Sequence, residues 1–250
     1  MKRIASVLAV PALLLATAPL QAQEEASSIG DWLSGNVSLT TDYTFRGISQ
    51  TLQQPALQGG MDLRHPSGFY LGTWGSSVNF GEANLEEAGP RAQLEMDVYG
   101  GYGLSLLPVA TFDLGVLYYM YPGASGQRNY DFLELGLGAS RTLGGVTGGL
   151  SAKYSPDFFA GSGEGFYYGA SAGIPISLFT VSGNVGKQLI EDNVTFGAPD
   201  YVEWGAGVSV GWKGFTVGGK VVGTNLEDSE CFGGTDYCGT RVMGSVSRAL

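Results

Sequence analysis

The chain has 250 residues and a formal net charge of −10, and 41 of its residues are Gly while only 14% are charged. Gly at this density disfavours helices, and the negative charge argues against nucleic acid as a partner. The length and the lack of a composition break predict one domain. Because the glycines alternate with apolar and aromatic residues at a period of two, the composition favours strands over a disordered Gly-rich chain.

The N-terminus has the features of a secretory signal peptide. Lys2 and Arg3 precede an apolar run at 4–20 that ends in small residues around Ala22, as in signal peptides. Removing residues 1–22 takes away two cations and no anion, which leaves 11 Lys and Arg against 23 Asp and Glu and a formal charge of −12. We therefore expect export to the periplasm, and a retained anchor is the alternative.

The rest of the chain predicts a transmembrane β-barrel. About twelve segments from Asn36 onward alternate apolar and polar side chains, as strands with one face in lipid do. After Leu20 no apolar run approaches the roughly 20 residues of a spanning helix, and a closed barrel is the other structure that satisfies every backbone group in lipid. We predict an all-β fold, a single closed antiparallel transmembrane β-barrel of about 12 strands (about 10–14) at 36–250, after a periplasmic segment at 23–35.

The first predicted strand, 36–46, shows the pattern clearly. Tyr43 and Phe45 lie on its apolar face, and Asp42 and Arg46 lie on its polar face. Since rings with a polar tip prefer the membrane interface, aromatic residues near strand ends predict an aromatic belt. The predicted members of this belt are Tyr43, Phe45, Tyr118, Tyr119, Tyr121, Phe166, Tyr167, Tyr168, Trp204, Trp212 and Phe215.

The connections alternate in length, which favours a membrane barrel over a two-sheet sandwich. Outer-membrane barrels have short turns on the periplasmic side and long loops outside. An even strand number also puts both chain ends in the periplasm. The predicted short turns are at 65–68, 107–108, 142–144, 175 and 213–214, and the predicted long loops are at 47–55, 80–90, 121–129, 155–164, 188–200 and 225–239.

Several segments resemble a known family. The sequences TDYTFRGISQ at 41–50, GGMDL at 59–63 and SGFYLGTW at 67–74 are similar to the TorF-type porin family of proteobacteria, as is RVMGSVSR at 241–248. The resemblance covers essentially the whole exported chain, and its first part is the most specific. It implies an outer-membrane β-barrel and names no agreed substrate.

The polar face of the predicted strands lines the lumen with charges of both signs. Twelve strands about 4.8 Å apart and tilted by about 40° would leave a passage of about 12 Å if nothing folds into it. Mixed charge in such a tube orients polar solutes, and the alternative is that the charges pair with one another and stiffen the wall. The predicted lumen-lining residues are Asp42, Arg46, Asp62, Arg64, Arg91, Glu95, Asp97, Asp113, Glu134, Lys153, Glu203 and Lys220.

These features predict a porin-like channel for the diffusion of small solutes or ions, with outer-membrane lipid and the solutes as partners and with no cofactor. The acidic long loops predict a cation preference that weakens with salt. The alternatives are a plugged structural or ligand-binding barrel with adhesive loops and a barrel hydrolase. We expect no enzyme, since the only histidine, His65, lies in a predicted turn with Ser67 as a turn neighbour, which is a weak basis for a nucleophile.

Cys231 and Cys238 are the only cysteines, and both lie in the last predicted long loop. Their six intervening residues make a disulfide sterically easy, and an oxidising compartment lets it persist. We predict this disulfide and no metal site. No second Cys pair or His lies nearby in the sequence, and the acidic residues of this loop lack a recognised Ca²⁺-binding spacing.

Overall fold

The computed structural model describes residues 32–81, 91–106 and 110–250. The predicted signal peptide, most of the predicted periplasmic segment at 23–35, most of the loop at 80–90 and the turn at 107–108 lie outside the described residues. In the described part of the chain, no helix has the length and apolar character needed to cross a membrane.

Within the described residues, twelve strands form one closed antiparallel barrel. Each strand pairs with its neighbour in the chain, and the first strand closes the barrel by pairing with the last. The strands of the barrel are β1 (Leu33–Thr40), β4 (Ala56–Arg64), β5 (Phe69–Ser77), β6 (Leu94–Leu106), β7 (Ala110–Met120), β8 (Phe132–Leu143), β9 (Val146–Ser155), β10 (Gly165–Ile176), β11 (Phe179–Ile190), β12 (Tyr201–Trp212), β13 (Phe215–Thr224) and β14 (Arg241–Ala249).

Shorter elements accompany the barrel. Two short strands, β2 (Thr44–Phe45) and β3 (Ile48–Ser49), pair only with each other. The long connections also contain the helix α1 (Asn193–Phe196) and the 3₁₀ turns Gly126–Arg128, Phe159–Gly161 and Asp228–Glu230. The predicted fold class and strand number are confirmed.

The two faces of the wall have opposite character. In β6, Leu94, Met96 and Val98 are 37–43% exposed, whereas Glu95 and Asp97 between them are 1% and 0% exposed. Because successive side chains of a strand point to opposite faces, the apolar residues form the outside of the barrel and the polar residues fill its inside. This arrangement suits a barrel whose outer surface contacts lipid.

The connections divide the barrel into a short-turn end and a long-loop end. The described short turns are at 65–68, 144–145, 177–178 and 213–214, and both ends of the described chain lie on this side. The predicted turn at Pro175 is wrong by two residues. Pro175 pairs with Thr180 inside the hairpin, beyond the last β9 pair at Gly173, where the missing N–H costs no ladder bond.

The predicted aromatic belt is only partly correct. Tyr118, Tyr168 and Trp212 are exposed on the outer face. At the short-turn end, Lys213 lies 5.0 Å from the Trp212 ring and Arg248 lies 5.2 Å from the Phe215 ring. Because two consecutive rings of a strand cannot share a face, Tyr119 and Tyr167 do not join Tyr118 and Tyr168 on the outside. In all, the assignment is wrong for five residues that point inward. These are Tyr43, Phe45, Tyr119, Tyr121 and Tyr167.

The largest departure from the predicted fold is at residues 41–55, which we call the inner hairpin. The first wall strand ends at Thr40 and not at 46, and the chain then turns into the barrel. The predicted wall position of Asp42 and Arg46 and the predicted outer loop at 47–55 are therefore wrong. Local hydrogen bonds replace the wall ladder, since the Asp42 carboxylate accepts from the hydroxyls of Ser49 and Thr51 at 2.7 and 2.8 Å.

The tip of the inner hairpin is a tight two-residue turn. Phe45 pairs with Ile48, and the turn residues Arg46 and Gly47 between them have φ angles of 47° and 82°. Two consecutive left-handed residues are typical of the turns that match the twist of a two-stranded hairpin. The hairpin has its own two-residue period, so the alternation of the sequence continues although the wall strand has ended.

Candidate functional site: the lumen and the inner hairpin

The inner hairpin crosses the lumen. On one side, the Tyr43 hydroxyl donates to Glu95 Oε1 of β6 at 2.6 Å. On the other side, a Cβ placed on Gly47 would lie 2.8 Å from Thr224 Cγ2 of β13. Between these points Thr44 Oγ1 lies 3.8 Å from the sulfur of Met243 on β14. The hairpin thus contacts opposite walls of the barrel.

We define the hairpin layer as the inner hairpin together with the inward wall residues packed at its level. These residues have little or no solvent exposure, and the ring of Tyr119 and the amide of Gln188 are fully buried. The wall residues of the layer include Trp74, Glu95, Asp97, Tyr119, Glu134, Lys153, Tyr167, Gln188, Glu203, Lys220, Arg241 and Met243.

Arg46, at the tip of the hairpin, is the most densely contacted charge of the layer. Its Nη2 lies 2.5 Å from Glu134 Oε1, and its Nη1 donates to Gln188. The guanidinium carbon is 4.3 Å from the centre of the Tyr167 ring. Burial lowers the pKa of Arg46, but the Glu134 carboxylate together with the neighbouring Tyr119 and Tyr201 outweighs burial, and the pKa is raised. Arg46 therefore stays charged.

Tyr43 anchors the hairpin to β6. Its ring packs edge-on against Trp74 with 5.4 Å between centroids. The acceptor Glu95 also receives a hydrogen bond from the Tyr121 hydroxyl at 2.8 Å. Burial, and next the nearby carboxylates of Glu95 and Asp97, raise the pKa of Tyr43 well above its ordinary value. The hydroxyl is consequently protonated and acts as the donor.

The root of the hairpin is tied to the last wall strand and to the last long loop. Arg241 Nη1 donates to Asp42 Oδ2 at 3.3 Å, and Arg241 also donates to the carbonyls of Tyr237 and Gly239. The N–H of Ser49 donates to the Tyr237 carbonyl at 2.9 Å. Arg241 therefore holds the first arm of the hairpin, and the loop at 225–240, which Arg241 also contacts, holds the second arm.

The predicted disulfide between Cys231 and Cys238 is confirmed, and both residues are buried. It closes the same loop that supplies the Tyr237 carbonyl. The Thr224 hydroxyl donates to the Cys238 carbonyl at 2.8 Å, which ties the disulfide to the end of β13. The disulfide is thus a structural part of the loop that holds the second arm of the hairpin.

Aromatic rings cover the hairpin layer at the long-loop end. Tyr130 and Phe159 stack with 4.6 Å between centroids. Phe80 contacts both rings edge-on at 5.4 and 5.5 Å, and Tyr121 joins the same group at 5.6 Å from Phe80. These contacts draw three long connections together above the lumen.

Toward the short-turn end the lumen opens into a wider space that we call the vestibule. The Arg64 and Asp62 side chains are 40% and 18% exposed there, against 6% and 3% for Arg46 and Glu134 in the hairpin layer. Two tyrosine hydroxyls donate to carboxylates, Tyr99 to Asp62 at 3.0 Å and Tyr70 to Asp113 at 2.9 Å. The facing strands carry small, half-buried inward residues, including Ser171, Gly173, Ser182, Gly207, Ser209 and Thr216.

The predicted lumen residues fall into two groups and one exception. Asp62, Arg64 and Asp113 line the vestibule. Arg91 precedes β6 and is exposed at the long-loop end, so it is not part of the lumen wall. The hairpin layer contains the largest group, which is Asp42, Arg46, Glu95, Asp97, Glu134, Lys153, Glu203 and Lys220.

The structure also shows which predicted residues do not meet and which were missed. Asp42 and Arg46 lie in the hairpin layer and bind Arg241 and Glu134, whereas in the vestibule Arg64 Nη2 lies 3.5 Å from Asp62 Oδ1. Tyr43 and Tyr167 also face the lumen, although the sequence pattern predicts an outer position for both. The alternation along β10 could have identified Tyr167 as inward, because successive side chains of a strand point to opposite faces and Phe166 and Tyr168 lie on either side of it.

The residues considered for enzyme chemistry lie in an exposed turn. His65 Nδ1 is 2.6 Å from Ser67 Oγ and accepts the Ser67 backbone N–H at 3.1 Å, which is a local turn contact. In the described ranges, no group of three or more His, Cys, Asp and Glu side chains is placed to hold a metal ion.

Comparison with known proteins gives a bacterial family of unknown function and a fold similar to that of two porins. A family model with the description "Bacterial protein of unknown function (Gcw_chp)" matches residues 23–248. The fold is similar to the KdgM porin, with 10% identity and a TM-score of 0.58 over 87% of this chain and 99% of that chain. It is also similar to the NanC porin, with 10% identity and a TM-score of 0.54 over 87% of this chain and 98% of that one. No curated protein sequence matches.

Proposed function

The chain belongs to the Gcw_chp family of bacterial proteins of unknown function, and from that premise we propose that it is a porin-like outer-membrane channel gated by its inner hairpin. The observation that carries the proposal is the hairpin itself. It spans an otherwise polar lumen and is held to the wall by hydrogen bonds, ion pairs and ring contacts. Such contacts can break and re-form, so a shift of the hairpin would connect the vestibule with the long-loop side.

The outer surface supports a membrane location. The apolar residues that alternate with the lumen residues are exposed on every wall strand, which is unfavourable in water and favourable in lipid. The likeness to two porin structures supports the same fold and setting. By the general rule for such barrels, the short turns and the vestibule face the periplasm. The narrower assignment to the TorF-type porins remains a prediction.

The chemistry of the lumen supports small polar solutes or ions as cargo. The vestibule presents a guanidinium, two carboxylates, phenol hydroxyls and many Ser and Thr side chains, so a polar solute finds donors and acceptors along it. The described long connections carry more acidic than basic residues. These include Asp157, Glu164, Glu191, Asp192, Asp200, Glu227, Asp228, Glu230 and Asp236, and they support a preference for cations.

The proposal is tested by conductance across planar lipid bilayers. The wild-type barrel is compared with a variant in which residues 43–53 are replaced by a short Gly-Ser link, which removes the hairpin and leaves the wall strands intact. We expect the wild type to conduct in discrete openings and the shortened variant to conduct continuously and severalfold more. No conductance from either protein would contradict the channel.

A plugged barrel is the second candidate, and the burial of the hairpin layer favours it. Glu95, Asp97, Tyr119 and Gln188 are all fully or almost fully buried, so the structure as described has no wide passage at this level. The same experiment separates the two functions. Conductance from the shortened variant alone, with a silent wild type, would support a barrel that the hairpin closes permanently and that acts through its loops or its vestibule.

A further inference from the structure

Exposed basic residues lie on the outer surface of the barrel at the short-turn end. Arg141 of β8 and Arg248 of β14 point outward, because each lies an even number of residues from an exposed apolar residue of its strand. Lys213 is exposed in the turn between β12 and β13. In the described part of the chain, the carboxylate side chains near this end are those of Asp62 and Asp113, which point into the vestibule. The outer rim at this end therefore carries an excess of cationic side chains.

Two of these cations lie over aromatic rings that adjoin one another. Lys213 Nζ is 5.0 Å from the centre of the Trp212 ring, and Arg248 Cζ is 5.2 Å from the centre of the Phe215 ring. Trp212 pairs with Phe215 across the β12–β13 hairpin, and Phe215 pairs with Arg248 across β13 and β14. Directly paired residues of neighbouring strands have Cβ atoms about 4.5–5.5 Å apart. The four residues therefore form one continuous surface, which we call the interface patch.

The backbone turn fixes Lys213 at the edge of the interface patch. Lys213 and Gly214 have φ angles of 49° and 83° and link the paired residues Trp212 and Phe215. Such a two-residue turn, with positive φ at both positions, is formed most readily by Asn-Gly. A lysine at the first position is strained in comparison, because its Cβ disfavours the left-handed conformation. Turn formation by itself would therefore favour another side chain at the position where the chain places this cation.

An apolar strip leads from the interface patch toward the middle of the barrel. It consists of outward positions on β13 and β14 that pair with each other and carry only short side chains. From the patch inward these pairs are Val217 with Val246, Gly219 with Gly244 and Val221 with Val242. From the Phe215 row to the Val221 row the strip is six residues long, or about 20 Å. On strands tilted by about 40° this length covers about 15 Å of depth, the hydrocarbon thickness of one leaflet.

We propose that the interface patch and the apolar strip bind one glycerophospholipid with an anionic headgroup. Its phosphate lies between Lys213 and Arg248, and one acyl chain lies along the strip. A guanidinium and an ammonium together suit a phosphate, since the guanidinium contacts two of its oxygens and the ammonium adds a point charge. The Trp212 ring, which is exposed beside them, is the kind of side chain that lies at headgroup level. A lipid with net negative charge is preferred, because a zwitterionic headgroup brings a cation of its own.

The inference rests on the membrane setting of the proposed function, but lipid binding is measured without conduction. The purified barrel in nonionic detergent micelles is mixed with equal amounts of phosphatidylglycerol and phosphatidylethanolamine that have the same acyl chains. Native mass spectrometry then counts the lipids that stay bound. Each cation favours an anionic lipid by about fivefold, so we expect one bound lipid per barrel and a preference for phosphatidylglycerol of about 25-fold.

Two substitutions assign the preference to the interface patch. Lys213→Asn removes one charge and supplies the residue that the turn favours, and Arg248→Gln removes the other charge. We expect each variant to keep a preference of about fivefold and the double variant to keep none, whereas Arg248→Lys retains most of it. Arg141→Gln is the matched control. Arg141 is also an exposed cation of the outer rim, but β8 lies six strands from β14 in the closed barrel, so we expect its loss to leave the preference unchanged.

Three outcomes would overturn the lipid site. The first is equal binding of the two lipids by the wild-type barrel. The second is a preference that survives in the double variant or falls as far in Arg141→Gln as in Arg248→Gln. The third is displacement of phosphatidylglycerol by an equal concentration of inorganic phosphate, which would leave an anion site without a role for the acyl chain. None of these results depends on whether the barrel conducts, so a failure here is distinct from a failure of the channel.

Discussion

Arg46 illustrates how one side chain can hold the inner hairpin to the barrel wall. Its guanidinium bridges β8 and β11 through Glu134 and Gln188, and it faces aromatic rings, among them Tyr167 of β10. Charge-assisted hydrogen bonds to a planar guanidinium are strong and directional. The tip of the inner hairpin is therefore attached to three strands through one residue.

Replacing Arg46 by Ala should loosen the hairpin. The change leaves Glu134 buried with only Lys153 at 3.5 Å as its ionic partner, and breaking a buried ion pair typically costs 3–5 kcal/mol. Because Lys153 remains, we expect a smaller loss of unfolding free energy, about 2–4 kcal/mol, and a higher open fraction in bilayers.

The control for this variant is Arg64→Ala in the vestibule. Its side chain is 40% exposed, so its ion pair should contribute less than about 1 kcal/mol. Denaturant titration in micelles measures both losses, and single-channel recording measures the open fraction. Equal effects of the two substitutions would contradict a special role for Arg46.

Tyr43 and Tyr70 offer a matched pair of hydroxyls. Both donate to a lumen carboxylate, at 2.6 Å to Glu95 and at 2.9 Å to Asp113, but only Tyr43 belongs to the inner hairpin. Removing one hydrogen bond to a buried carboxylate costs about 1–3 kcal/mol. We expect Tyr43→Phe to increase the frequency of channel opening and Tyr70→Phe to leave it at the wild-type level. A gating change of the same size in both would mean that the hydroxyls act on the wall and not on the hairpin.

At the scale of elements, the inner hairpin can be locked to β13 by a designed disulfide. A Cβ on Gly47 would lie 2.8 Å from Thr224 Cγ2, and the two Cβ atoms of a disulfide are about 3.5–4.5 Å apart, so the two side chains are near enough for a bridge. We expect the double variant Gly47→Cys, Thr224→Cys to be non-conducting when oxidised and to conduct after reduction.

The single variant Gly47→Cys is the control for this lock. It carries the same strain, because Gly47 has a φ of 82°, a conformation that costs a non-Gly residue of order 1–3 kcal/mol. Conductance that is unchanged after confirmed oxidation of the double variant would show that the hairpin is not the gate.

The native disulfide Cys231–Cys238 stabilises the loop at 225–240, which contacts the inner hairpin. Loss of a bridge that closes so short a loop should cost about 2–3 kcal/mol by chain entropy. Because the Tyr237 carbonyl of this loop accepts the Ser49 N–H, the loss should also release the hairpin. We expect Cys231→Ser, Cys238→Ser to lower the thermal midpoint and to lengthen openings. Wild-type gating in a destabilised variant would confine the disulfide to loop stability.

The wall and the hairpin differ in how far the sequence determines them. The wall could be predicted, because its outer face is apolar all round the barrel and its inner face is polar, so each strand shows a two-residue period. The inner hairpin could not, since Tyr43 and Phe45 continue that period while packing against Trp74 and Tyr119 instead of lipid. A period of two reports an extended chain and not which surface it faces. The Arg46–Gly47 turn was the available signal, and it lies within the resemblance at 41–50.

At the scale of the whole molecule, the charge is distributed unevenly along the barrel axis. The described long connections carry many acidic residues, whereas the described part of the vestibule has only two carboxylates, Asp62 and Asp113, and one guanidinium, Arg64. A negative mouth concentrates cations near it, and the effect falls within a Debye length of about 10 Å at 0.1 M salt. The asymmetry should therefore affect selectivity most strongly in dilute salt.

We expect the open channel to prefer cations at low ionic strength. The reversal potential in a KCl gradient across a planar bilayer should have the sign for K⁺ and should shrink as both solutions are made more concentrated. Neutralising Glu227, Asp228 and Glu230 together should reduce the reversal potential. An anion-selective or unselective open channel would contradict the prediction.

The pairing of β1 with β14 has a consequence for biogenesis. The pairing between these two strands is short and runs from Asn36 opposite Ala249 to Thr40 opposite Ser245. Two contacts continue it: the Thr41 N–H donates to the Gly244 carbonyl, and Arg241 donates to the Asp42 carboxylate. Thr41 and Asp42, where the chain turns into the barrel, therefore also form the last contacts that close it. If β1 and β14 pair progressively during insertion, the hairpin must enter the barrel before the last of these contacts form. A barrel that closed without the hairpin inside would lack the contact between Asp42 and Arg241.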